Sequence, residues 1–235
     1  MYRLLGATTA FCVMSSLAMA GDKPDHATFK LYPNPALPNI LDCLSENGEV
    51  PRAVVEVKRG DLNDTGIIRV KGLKPNLDFD VFTVQRSPLG SDGKAAPTPF
   101  KGFGLAWYQS DLQSDHHGNA QVIIKTILLD QIFGFDADVV VPATSTTPAT
   151  TVLKPTNTFH LGFWFNDPND AAKCGFDPSK PTPFNGEHKA GPLAMISAPV
   201  EPADLGPLCT SPTGLQGPDD SGADPTDSTV LACNP

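Results

Sequence analysis

Proline and glycine punctuate this chain so closely that no long helix can form in it. Of 235 residues, 24 are proline and 20 are glycine. A proline inside a helix removes an amide donor and drives its ring into the preceding turn. Helical bundles and coiled coils are therefore excluded. Between the breakers run short segments whose apolar residues recur at every second position, the period of a strand with one face buried. Ala53, Val55 and Val57 alternate with Val54, Glu56 and Lys58, and Ile68 and Val70 with Arg69 and Lys71. The turn formers of residues 60–66 lie between them, which predicts a β-hairpin.

The same reading predicts strands over 27–32, 105–109, 120–128, 158–165 and 193–197. Residues 79–85 carry Phe82 and Val84 as well as Phe79 and Val81, so this strand should be covered on both sides. In 158–165 the large apolar residues Phe159, Leu161, Phe163 and Phe165 share one face, leaving His160, Gly162 and Trp164 on the other. Only two short helices are expected, a single turn over 129–133 and one starting at Asp167-Pro168. About eight strands predict an all-β fold, a single β-sandwich of immunoglobulin-like or jelly-roll-like type with long loops. Its domain should span residues 21–200. Three connections, 86–104, 139–157 and 174–192, exceed the usual loop length and are expected to be functional or disordered. Residues 201–235 turn to Pro, Asp, Gly and Ser and read as a tail.

Residues 1–20 read as a secretory signal: Arg3, an apolar run, then Ala18-Met19-Ala20. The run is too short to span a bilayer, and no later segment is long and apolar enough. The expected location is periplasmic or extracellular. Cys43, Cys174, Cys209 and Cys233 follow the signal, and an even count in an exported chain predicts two disulfides with three possible connectivities. The formal charge of −9 argues against a phosphate-binding surface and against a nucleic-acid partner.

Two groups of side chains suggest sites. His160 and Trp164 share the non-core face of their strand, and a later loop carries Glu187-His188. With His116, from the turn pair His116-His117, these residues supply imidazole and carboxylate ligands suited to zinc or copper. The plainer alternative is that His160 packs under a loop and that residues 185–188 form a structural latch, with Phe184 plugging the core. The second group is aromatic. Phe100, Phe103, Trp107 and Tyr108, with Trp164, suit a platform for a glycan or protein ligand, and equally serve as core anchors. Residues 61–66 begin like a calcium loop, but Gly72 stands where the bidentate Glu is needed, so a turn is expected. Ser110, Asp111 and His117 are close in sequence, yet nothing near Ser110 would activate it.

The segment from Thr158 through Ala171, then Phe184-Asn185-Gly186-Glu187-His188-Lys189-Ala190-Gly191, resembles an uncharacterised family of secreted bacterial proteins, as does Gly104-Leu105-Ala106-Trp107-Tyr108-Gln109. The resemblance implies export and one β-rich domain, and no activity. Taken together, the chain reads as an exported non-catalytic module with a binding or structural role in the envelope or extracellular space. The alternative is a transition-metal-binding protein or small metalloenzyme built on the histidines.

Overall fold

A computed structural model describes residues 25–100, 102–104, 106–129, 135–140, 150–152, 158–182, 189–200 and 206–209. Antiparallel strands dominate. They are β1 (His26–Pro33), β2 (Arg52–Lys58), β3 (Asp64–Lys71), β4 (Asp78–Val84), β5 (Ala106–Gln113), β6 (Asn119–Thr126), β7 (Phe135–Val140), β8 (Thr150–Val152), β9 (Thr158–Phe165), β10 (Leu193–Ser197) and β11 (Leu208–Cys209). Eight of them form one sheet in the order β5-β4-β9-β10-β1-β2-β3-β6, with β11 added to the start of β9. All the predicted strands are present. β7 and β8 pair with each other and were not expected; β8 and the last two residues of β7 fall in what reads as the long connection 139–157.

One row of inward side chains from every strand of the main sheet builds the principal core. Phe159, Leu161, Phe163 and Phe165 of β9 are fully buried, and Val55, Val57, Ile68 and Val70 face the same interior. Each such side chain contributes about 1.5–3 kcal/mol through removal from water. Gly162 lets β10 approach closely, because a Cβ there would lie 2.9 Å from the Met195 carbonyl oxygen.

The outer face of β9 departs from the simple one-sided pattern. Val84, Leu89, Trp164, Leu193 and Ile196 form a second buried cluster, with Tyr32, Phe82 and Phe103 packed against it. Leu89 and Phe103 belong to the long connection 86–104, so it is no free excursion. Its base is pinned where the Arg86 amide and guanidinium Nε donate to the Phe103 and Gly102 carbonyls, at 3.0 and 2.8 Å.

At the opposite end, α1 (Leu41–Leu44) and a 3-10 helix (Pro168–Cys174) cap the sheet, joined by a Cys43–Cys174 disulfide with Cα atoms 5.9 Å apart. The second helix is the one predicted at Asp167-Pro168. Asp167 caps it by accepting from the Asn169 amide, and Gly175 ends it at φ 93°. The first escaped prediction because four residues are too few to show a period. Cys233, and the side chain of Cys209, lie outside the described residues, as does the rest of the turn expected over 129–133.

Candidate functional site

The two described histidines of the expected metal set, His160 and His116, do not converge. His160 is 3% exposed, and its Nδ1 lies 3.1 Å from both the Ser197 carbonyl oxygen and its Oγ. Burial in this apolar setting pushes the imidazole down to about 4, with the Ser197 hydrogen bond opposing. Its strand neighbour is Val84, at one end of β4. His116 lies past the other end of β5, in the turn beyond the Asp78–Gln113 pair, where its ring stacks on His117 at 3.8 Å. The face that His160 and Trp164 share lies outside the main core but is itself buried, with Leu89 and Phe103 of the 86–104 connection packed with Trp164. Trp164 is 1% exposed. Glu187 and His188 lie outside the described residues. The flanks of their segment are tied together by Thr182, whose amide donates to the Ala190 carbonyl at 2.9 Å. Among the described residues, no three His, Cys, Asp or Glu side chains gather as metal ligands.

The calcium-like turn has a structural occupation instead. Asp64 is buried, and its carboxylate accepts from the amides of Gly60, Leu128 and Leu129 at 3.3, 2.9 and 2.6 Å. Ser110 donates to the Asp111 carbonyl, and His117 sits in the turn beyond the strand end, so the hydrolytic set is not assembled.

The aromatic set does organise, though differently from expectation. Trp107 turns inward and packs edge-on against Phe159 at 5.3 Å, joining the main core. Tyr108 turns outward and starts a row of edge-to-face rings. It meets Phe82 at 5.6 Å, Phe82 meets Trp164 at 5.4 Å, Trp164 meets Phe103 at 5.1 Å, and Phe103 meets Phe100 at 4.8 Å. The inner rings are sheltered, while Tyr108 and Phe100 remain 54% and 41% exposed at the two ends.

A β-bulge decides what surrounds Tyr108. Val81 pairs with Ser110 but Phe82 pairs with Tyr108, leaving Gln109 as the extra residue. Gln109 reaches inward to Thr83 Oγ1 at 2.9 Å. The extra residue brings Tyr108 and Asp111, three apart in sequence, onto one face, where the Tyr108 hydroxyl donates to Asp111 Oδ1 at 2.7 Å. Asp111 pairs across the strands with buried Asp80, which accepts from Asn166 Nδ2 at 3.1 Å. Desolvation, the Asp111 hydrogen bond and the two negative charges push the Tyr108 hydroxyl up to about 12. It therefore stays a neutral donor at any physiological pH.

The surface so formed has an oriented ring, a second exposed ring and carboxylate acceptors beside it. The sequence reading placed Phe82 in a covered strand and Asp111 beside Ser110 and His117, passed over Asp80, and missed their grouping around Tyr108, because a bulge leaves no periodic signature of its own. No family model, curated protein or solved structure matches this chain.

Proposed function

We propose that this chain is an exported, non-catalytic β-sandwich module that binds a neutral glycan at the outer face of β4, β5 and β9. The observation that carries the reading is Tyr108, an exposed ring set edge-on against Phe82 and tethered to Asp111. A fixed aromatic ring offers a flat apolar face to the C–H side of a sugar at little entropic cost. Asp111 beside it can accept hydrogen bonds from sugar hydroxyls. Export is supported by the signal-like residues 1–20 and by the Cys43–Cys174 bridge, which belongs to oxidising compartments. The resemblance to secreted bacterial proteins points the same way.

The test is calorimetry with cello-, chito- and manno-oligosaccharides on the wild type and on Tyr108→Ala. One of these ligands is expected to bind, and Tyr108→Ala to weaken it at least tenfold with an unchanged circular dichroism spectrum. Binding that is untouched by Tyr108→Ala, or no binding by any of the three series, overturns the proposal.

A further inference from the structure

The other half of the sheet presents a surface of opposite character. β1, β2, β3 and β6 are consecutive neighbours, and their alternate residues Ala53, Val55, Val57, Ile68, Val70, Ala120 and Ile124 face the core. The intervening residues therefore share the outer face. Register sets them in rows: Arg52 beside Lys71; Lys30 beside Val54, and Val54 beside Arg69; His26 beside Lys58, with Thr65 and Lys125 continuing the row. Lys30, Arg52, Lys58, Arg69, Lys71 and Lys125 are all exposed. Six of the 17 Lys and Arg thus stand on one face of a chain whose formal charge is −9.

Among the outward residues of these four strands Glu56 is the one acid, and Arg69 Nη1 already holds it at 2.7 Å. Arg69 also donates to Gln121 at 3.2 Å. The sequence reading argued from the acidic balance against a phosphate-binding surface, which needs clustered Lys and Arg, and this face clusters six of them. Net charge averages over faces that the sheet keeps apart.

We propose that this face docks a linear acidic polysaccharide. Cations on a flat sheet stand about 6.6–6.8 Å apart along a strand and about 4.8 Å apart between strands, so they do not converge on one small anion. Such spacing suits a polymer that repeats its carboxylates, with the charges meeting in register across about 14 Å of sheet. Between the rows lie Ile67 and Ile123, the latter 56% exposed, which offer apolar contact to the sugar rings. The face is separate from Tyr108, so the two surfaces fail or stand independently.

The experiment measures polygalacturonate binding by calorimetry at low and raised salt. The wild type is expected to bind, with affinity falling as salt rises, because exposed charges are screened. Lys71→Glu/Lys125→Glu should weaken binding at least tenfold, while the equally charged control Lys173→Glu/Lys180→Glu, at exposed lysines of the 3-10 helix and the segment after it, should weaken it far less. Lys71→Gln/Lys125→Gln provides a milder pair should the charge reversal unfold the protein, and is expected to lose affinity in the same direction. Equal losses in face and control variants, an affinity indifferent to salt, or binding to phosphatidylglycerol vesicles with none to polygalacturonate would each overturn the proposal.

Discussion

Removing the Cys43–Cys174 bridge should cost this protein a large part of its stability. The cysteines are 131 residues apart in sequence, and the bond ties α1 to the 3-10 helix. In the chain-entropy treatment, a loop of that length removes about 17 cal/mol/K from the unfolded ensemble, or about 5 kcal/mol at 25 °C. Measured losses are commonly about 2–4 kcal/mol, so 5 is an upper figure. Against a typical total of about 5–15 kcal/mol, even the lower figure is substantial. Both cysteines are buried, so serine would leave hydroxyls needing partners, and Cys43→Ala/Cys174→Ala is the cleaner perturbation. Urea unfolding followed by circular dichroism should show the midpoint falling while the folded spectrum persists. Thermal melts should drop by roughly 5–15 °C. A stability loss below about 1 kcal/mol would refute the entropic reasoning, and both thiols alkylating in the non-reduced, denatured wild type would refute the bond itself.

Two further outcomes test the cores. Leu161→Ala should cost about 2–5 kcal/mol in urea melts, because its side chain is fully enclosed among the inner rings; a loss under 1 kcal/mol would mean the site collapses freely. His160 binds its proton less readily when folded, at about 4 against an ordinary 6.5, so its contribution is whole above pH 6.5 and is lost as pH falls towards 4. The difference is about 3 kcal/mol, and His160→Gln should flatten that part of the stability–pH curve; an identical slope in both proteins would contradict the assignment.

Some of this molecule was legible from local order alone. The alternation in β2, β3 and β9 identified the strands and their core faces, because the period of two is a property of each strand by itself. The Asp-Pro start and Gly175 end of the 3-10 helix were readable for the same reason, since capping is local chemistry. The even cysteine count foretold bridging, but the Cys43–Cys174 partnership needed the fold to bring two helices together across 131 residues. What covers the outer face was equally hidden. His160 and Trp164 look exposed along their own strand, and only the return of Leu89 and Phe103 over the sheet makes that face a second core. Tyr108 joins Asp111 through a bulge whose register is set by β4. The six outward cations are scattered from Lys30 to Lys125 and become one surface only when β6 pairs beside β3 and β1 beside β2. Periodicity says which way a side chain points from its own strand, while strand order decides what it meets there.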